Sequence, residues 1–511
     1  MAQDVYGLGN RSTSDALGSR SLPVHKDYDE YINHWKWLKR SYLGGAEFKR
    51  GRYLKRYQYE SEGEYLTRLS QACVDNHCRS VVHIYNSFLY RQEPYRDFGW
   101  LANTPELEAF LKDCDLEGRN WHSFMRDANI QSSIYGHCLV LVDRPDTVVG
   151  TRAEELAQGI RPYTTIYTPE NILDWKFVRQ PNGYYELEYL SLLEQDERPY
   201  DASNTYYVRT WTRDTITLSS YSPDKKDPLE IVEEKFNMLG KVPAVWVYAN
   251  RGPIKGIGVS DINDIAQAQK FLHECYSEAE QLISLSNHPS LVKTNSTSAT
   301  AGAGAIITMP EELDGNLKPY LLQPSGGNLE AILSTMDNTV KAIDRMAHLG
   351  AIRAIETRQM SGVAMQSEFL LLDAKLAEKA KNLELAEEQI FRLFALWQGQ
   401  AWDGHIEYPT AFHIRDKNLD MDILKKAAET NPADPKVKAA IDSKIYELIE
   451  GEDLEEEEME HPTTTATTRT PHIQEMIMGG YTDQQILELH PEISQADLDT
   501  AKQELLNSNN S

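Results

Sequence analysis

The sequence predicts an α+β protein, with helices and an antiparallel sheet laid down in separate stretches of chain. Three observations carry this. Between residue 161 and about residue 250 apolar and polar residues alternate at a period of two; in "NGYYELEYLSL", Tyr185, Leu187 and Tyr189 alternate with Glu186 and Glu188. Two stretches of comparable length, 260–286 and 328–349, repeat their apolar residues every three or four positions and bracket a module rich in glycine and broken by proline. Further on, Phe369, Leu376, Leu383, Ile390 and Trp397 fall seven apart in one long helical stretch.

The elements before the sheet are helical. Residues 61–92 carry apolar residues at helical spacing and stop before Pro94. "TPELEAFLKD" predicts a helix capped by Thr104, with Leu107 and Phe110 pointing inward. A further helix over roughly 121–135 runs through Gly136 into the buried strand "CLVLVD". The sheet block then opens with "ILDWKFVRQPNG", whose Asn182-Gly183 pair is a turn of the kind hairpins prefer. "TYYVRTWTRDTITLSSYS" and "KVPAVWVYAN" continue it, polar side out and apolar side in.

After the sheet comes a helix introduced by a Ser260 cap, with Ile265, Ala268, Leu272, Cys275, Ala279 and Leu282 on one stripe and Pro289 beyond its end. At about 1.5 Å per residue it is roughly 40 Å long. Its counterpart starts at a capping Asn328, stripes Leu329, Ile332, Met336, Val340, Ile343 and Met346, and ends at Gly350. Antiparallel packing of the two puts residues 288–325 at the tip of a helical stalk. The stretch 351–366 reads as a loop with short helical pieces. The long helix 367–398 follows, and Lys379 interrupts the second apolar stripe of Leu372, Ala386 and Leu393. A short strand in "IEYPTAFHI" and a helix-turn-helix over 422–451 lead to "EDLEEEEME" and "HPTTTATTRT", a boundary near 451–470, because like-charge blocks and threonine tracts seldom pack. Capping boxes at Thr482/Gln485 and Ser494/Asp497 start a small helical tail.

Composition limits what such a chain does. With 511 residues it has room for several parts. No apolar run approaches the eighteen or so residues of a membrane span, and the first thirty residues lack the basic-then-apolar order of a secretion signal, so assembly in the cytoplasm is expected. Five scattered cysteines fit reduced thiols. A net charge of −26 repels phosphate, so any contact with nucleic acid is local or weak. One basic stretch, Lys36 to Tyr57, carries eight Lys or Arg against the single Glu47; a solvated helical face or a subunit contact accounts for it, with phosphate or an acidic neighbour as the other reading.

No catalytic or metal residue stands out. "AGAGA" lacks the Lys-Ser or Lys-Thr of a phosphate loop and precedes a strand-like "AIITM". "GPIKGIGVSD" departs from both nucleotide-loop spacings and reads as a tight turn feeding a helix. "CVDNHC" places Cys73 and Cys78 on different faces of a helix with no second ligand pair. Asp416, Asn418, Asp420 and Asp422 are reminiscent of a calcium loop, but Met421 and Ala427 stand where its glycine and bidentate glutamate belong. A chain of this length with no catalytic signature, two stalk helices and a long spine helix points to a structural, oligomeric role, with no enzyme activity and no cofactor.

The order of elements resembles that of portal proteins, the head-tail connector rings of tailed double-stranded DNA bacteriophages. The stretches that carry it are "NHCRSVVHIYNSFLYRQEP", "SSIYGHCLVLVD", "GIGVSDINDIAQAQKFLHE" and "MAHLGA", spread over roughly 60–410. The resemblance implies a portal-type fold: a β-rich antiparallel wing in 1–255, stem helices in 256–287 and 326–350, a small β-containing clip in 288–325, a tunnel loop in 351–366, a wing spine helix and strand in 367–410, and a helical crown with its extension in 411–511. It also implies a ring of copies of this chain, usually a dodecamer, at one capsid vertex of the virion, built in the host cytoplasm.

The partners so implied are the terminase large subunit, then a neck or tail adaptor protein, the major capsid protein and scaffold, and double-stranded DNA passing through without sequence specificity. Arg353, Glu356, Arg358 and Gln359 become candidate tunnel-loop residues. Lys270, Glu278, Glu280, Lys341 and Arg345 become candidates for the channel face of the stem, and Lys293, Met309, Glu311, Lys318 and Tyr320 for the clip interface. The acidic block before the threonine tract departs from the pattern. The alternatives are another virion ring, adaptor or scaffold protein, and a hydrolase with a carboxylate-held metal.

Overall fold

A computed structural model describes residues 22–145, 154–155, 158–194, 206–221, 229–287, 290–292, 320–322, 326–350, 362–410 and 412. The chain divides into two units, Met1–His413 and Ile414–Ser511, and every described residue belongs to the first. The helical tail expected beyond residue 413, the acidic block and the stretch Asp416 to Asp422 lie outside the described residues.

Helices α1 (Tyr28–Leu43), α2 (Gly45–Arg50), α3 (Glu62–Gln71) and α4 (His77–Leu89) open the fold. The helix expected over 61–92 is thus two. A capping box between Ser61 and Glu64 starts α3, and Asn76 starts α4 by accepting from the Arg79 N–H at 2.9 Å. Asp and Asn compete with helix continuation through such local bonds, which is why the apolar period crosses the break while the backbone does not. The basic stretch between Lys36 and Tyr57 is an ion-paired surface. Arg50 pairs with Glu47, Arg52 and Arg56 with Glu62 at 3.1 and 3.3 Å, and Lys39 with Glu170 at 3.1 Å.

Strand β1 (Tyr95–Asp97) leads to α5 (Pro105–Lys112) and α6 (Trp121–Tyr135). Leu107 and Phe110 are buried as expected, but Thr104 makes no cap bond; its hydroxyl turns back to donate to the Leu101 carbonyl at 2.7 Å. α6 ends at Gly136, whose φ of 93° suits glycine, and the chain enters β2 (His137–Asp143), buried at every residue. β3 (Tyr163–Tyr167), β4 (Ile172–Arg179), β5 (Tyr185–Glu194), β6 (Tyr206–Thr212), β7 (Thr215–Tyr221), β8 (Leu229–Phe236) and β9 (Ala244–Tyr248) complete two antiparallel sheets, ordered β3-β2-β9 and β4-β5-β6-β7-β8.

β2 is sandwiched, which explains its unbroken apolar run. Cys138, Val140 and Val142 face the helices, while Leu139 and Leu141 join Trp175, Leu187, Leu190 and Trp211 of the larger sheet. The β4–β5 hairpin differs in detail from expectation. Gly183 N–H donates to Gln180 C=O at 2.8 Å, so Pro181 and Asn182 are the central turn residues and Gly183, at φ 86°, closes the turn. Tyr185, expected inward, is exposed, because register shifts in this pair re-phase the alternation toward Leu190 and Leu192.

The short pair β10 (Asn250–Arg251) and β11 (Gly258–Val259) then feeds α7 (Asn263–Asn287). β12 (Ser290–Val292), β13 (Tyr320–Leu322), α8 (Gly326–Met346), α9 (Gly362–Trp397) and β14 (His405–Glu407) follow, and β14 pairs with β1. α8 begins two residues ahead of Asn328, which is therefore a helical residue and not the cap. In α9 the seven-residue repeat buries Leu376, Leu383 and Ile390, and Phe391 and Phe394 pack against Phe110 and Trp121. Glu387, fully buried on the same helix, receives Arg96 Nε and Trp121 Nε1 at 2.6 Å each and the Tyr408 hydroxyl at 2.5 Å. One carboxylate thus fastens the spine to three separate parts of the chain, with charge-assisted bonds that offset its burial.

Candidate stalk and its anchored base

α7 and α8 pack on one another, and their adjoining ends are joined by the β12–β13 ladder. Ser290 pairs with Leu322, Leu291 with Leu321 and Val292 with Tyr320, antiparallel, so the chain leaving α7 returns in register and enters α8 in the opposite sense. With 25 and 21 residues, the helices are about 37 and 31 Å long. Leu272 and Cys275 of α7 and Met336 and Ile343 of α8 are buried in the main core, and Ala279 is buried as well, as the apolar stripes predict.

The base of α7 is pinned. Ser260 does not cap it, since the first helical residue is Asn263; its hydroxyl instead donates to the Ile134 carbonyl at 2.7 Å and accepts from Ile262 N–H at 3.1 Å. Beside it, the fully buried Asp261 carboxylate accepts from Lys379 Nζ at 2.5 Å and Asn250 Nδ2 at 2.9 Å, with Lys375 Nζ at 3.3 Å. Lys379 also donates to Ser133 Oγ at 2.9 Å. Burial acts to raise the Asp261 pKa, but the two ammonium groups outweigh it and hold the carboxyl below its ordinary range. Glycine-to-backbone contact completes the joint: a Cβ on Gly258 would lie 2.1 Å from the Gly136 carbonyl oxygen. "GPIKGIGVSD" is accordingly a tight turn feeding a helix, held against the end of α6.

Further up α7, Gln269 accepts from Cys78 N–H and donates to the Ser41 carbonyl, both at 2.9 Å, and Ser277 Oγ accepts from Arg68 at 3.1 Å. At the far end of α8, the Ala347 carbonyl accepts from the buried Tyr85 hydroxyl at 2.7 Å. Both helices are therefore fixed to the body at their core ends.

The candidate residues distribute unevenly. Glu278, Glu280, Lys341 and Arg345 are exposed and Lys270 is half-buried. Lys341 and Arg345, four apart, share a face. Glu278 and Glu280, two apart, stand roughly 200° from one another around the helix and belong to different flanks. Tyr320 lies in the ladder opposite Val292. Arg353, Glu356, Arg358, Gln359, Lys293, Met309, Glu311 and Lys318 lie outside the described residues. The pinning residues Asp261, Lys375 and Gln269 escaped the sequence reading; the one signal for them was the lysine at 379 inside an apolar stripe. Among the described residues no group of three or more His, Cys, Asp or Glu side chains is placed to hold a metal, and no described helix is long and apolar enough to cross a membrane.

No family model matches the sequence, and no curated protein matches it. Solved structures similar to it include chains of gene transfer agent (GTA) particles. A chain of the virion of a native GTA particle aligns at 8% identity and a TM-score of 0.41, covering 84% of this chain and 97% of that one. A chain from the neck of an empty GTA particle, computed with C6 symmetry, aligns at 9% identity and 0.41, over 76% and 95%. One from the neck of a native GTA particle, computed with C12 symmetry, aligns at 8% and 0.38, over 71% and 89%.

Proposed function

We propose that this chain is the subunit of a portal ring, a non-enzymatic conduit for genome packaging and ejection at one capsid vertex, and that its stalk tip docks first the terminase motor and then a neck or tail adaptor. The observation that carries this reading is the antiparallel pair α7–α8, closed by the β12–β13 ladder and immobilised at its base by Asp261 and Lys379. Such a stalk suits a docking tip carried by the residues that follow the ladder. In the domain terms of this reading, α7 and α8 are the stem, the segment beyond the ladder is the clip, and the sheets with α9 form the wing.

Two further features support it. Phe271 and Ile283 on α7 and Leu333 and Met346 on α8 are exposed, which suits a stalk packed laterally against copies of itself. The net charge of −26 suits a channel through which a duplex slides, since every neutralised phosphate adds affinity and would retain the DNA. Native mass spectrometry followed by negative-stain imaging tests the proposal. The expected result is a closed ring of about twelve copies with a hole wide enough for a duplex; a monomer at every concentration would sink it.

A further inference from the structure

The five-stranded sheet has two unlike edges. At the β4 edge the chain covers itself: the Leu173 carbonyl accepts from His25 N–H at 2.8 Å, and the His25 ring stacks on Trp175 at 4.0 Å between centroids. At the other edge β8 pairs only with β7 among the described strands and is exposed almost throughout. Leu229, Ile231, Val232, Phe236 and, just past the strand, Met238 are all exposed; Phe236 is 74% and Met238 86% accessible. An outer strand with bare apolar side chains on both faces is normally protected or partnered. It also carries Glu230, Glu233 and Glu234 against a single Lys235.

Beside β4 and β5 lies a cleft of about 640 Å³, between that end of the sheet, β9 and the last turns of α9. Its charge is opposite to that of β8. Lys241, Arg251, Lys255 and Arg392 line it against one carboxylate, Glu186. Lys241 and Arg392 are already paired, with Glu186 and Glu388. Arg251 and Lys255 pair with no carboxylate among the described residues; they sit over aromatic rings, Arg251 at 5.3 Å from Tyr248 and Lys255 at 2.9 Å from Tyr185.

We infer that β8 of one copy docks into the Arg251–Lys255 cleft of the next. The inference rests on the ring proposed above and supplies one of its contacts. Three strand spacings, about 14 Å, separate β8 from β5, the nearer of the two sheet strands that line the cleft. Two different, complementary surfaces of one subunit form a head-to-tail contact, which closes into a ring where the rotation closes and extends as a filament where it does not. Glu234 reaches the two cations, joined by Glu233 once it leaves Lys235, its partner at 2.9 Å in the single subunit, and the apolar residues of β8 cover the aromatic floor.

Charge exchange tests this on the full chain. E233K/E234K and R251E/K255E should each lower the ring fraction about tenfold by native mass spectrometry, since like charges then meet across the contact. Both variants alter exposed groups, and an unchanged melting curve verifies that each still folds. Mixing the two should restore rings in which the variants alternate, because every β8 then meets a cleft of opposite sign. Rings formed by either variant alone at the wild-type level, or no recovery on mixing, would overturn the inference while leaving the ring itself intact. A wild-type chain that never assembles would instead remove the portal proposal and this contact with it.

Discussion

Lys379 Nζ donates to Asp261 Oδ2 at 2.5 Å, with both side chains withdrawn from solvent, and this contact joins the middle of the spine helix to the base of the stalk. The two residues are 118 positions apart. Removing one partner of a buried pair leaves an uncompensated charge. Lys379→Met should therefore destabilise the protein by about 3 kcal/mol, the low end of such effects because Lys375 and Asn250 remain on Asp261. Urea unfolding measures it, and Lys379→Met/Asp261→Asn should cost clearly less than the sum of the single changes. A single variant within about 0.5 kcal/mol of wild type would show that the pair does not anchor the stalk.

Gly136 joins α6 to β2 at φ 93°, and a Cβ there would stand 2.4 Å from the Gly258 carbonyl oxygen. Alanine at this position meets both a left-handed backbone and a backbone wall that cannot swing aside. Gly136→Ala should destabilise by roughly 2–4 kcal/mol, whereas Gly118→Ala, also at positive φ but in open space, should cost roughly 1 kcal/mol. Equal losses at the two sites would show that strain alone, and not the close approach to Gly258, governs the joint.

His137 is fully buried beside Trp35, and its Nδ1 accepts from Gly258 N–H at 3.2 Å. Burial pushes its pKa from 6.5 down to about 3, so the folded protein keeps the ring neutral while the unfolded chain takes up a proton below pH 6.5. Stability from this site is present above pH 6.5 and falls as the pH drops from 6.5 toward 3, by up to about 1.4 kcal/mol per unit. His34 and His273, also lowered by burial, act in the same direction. Denaturation midpoints measured between pH 7 and pH 5 should fall, and His137→Gln, which keeps an acceptor, should flatten the slope. A variant slope as steep as wild type would exonerate this histidine.

Glu278 and Glu280 stand on different flanks of α7, so at most one of them faces any given wall of a channel. In the ring proposed above, single charge reversals should accordingly act unequally. The reversal on the channel flank is expected to add about one unit to the steepness with which DNA binding falls with salt, and the other to leave it unchanged. Equal effects from Glu278→Lys and Glu280→Lys would contradict a channel wall along this helix.

Patterns that repeat along the chain were legible from residue order alone. The alternation in 161–250, the two stalk stripes and the seven-residue spacing of α9 each arise from burying one face of a periodic backbone, and that period is a local property. Breaks set by competing local bonds were not: the apolar period runs across Asn76, and only the capped backbone shows two helices where one was expected. The Ser260 hydroxyl likewise looked like a cap and is a brace, because the carbonyls of Ser133 and Ile134 reach it from a distant part of the chain.

The candidate residues divide in the same way. That Lys341 and Arg345 share a face follows from helical spacing, whereas the pairing of the basic stretch after Lys36 with Glu62 and Glu170 is set by the fold. By itself the sequence determined the α+β class, the elements that alternate or stripe, and the acidic balance, since each depends on neighbours within a few residues. The tertiary structure alone decided that Asp261 finds Lys379, that Glu387 ties three segments together, and that β8 is left bare while β4 is covered. Those pairings join residues far apart in sequence, and the energy that selects them exists only after the chain has excluded water between them.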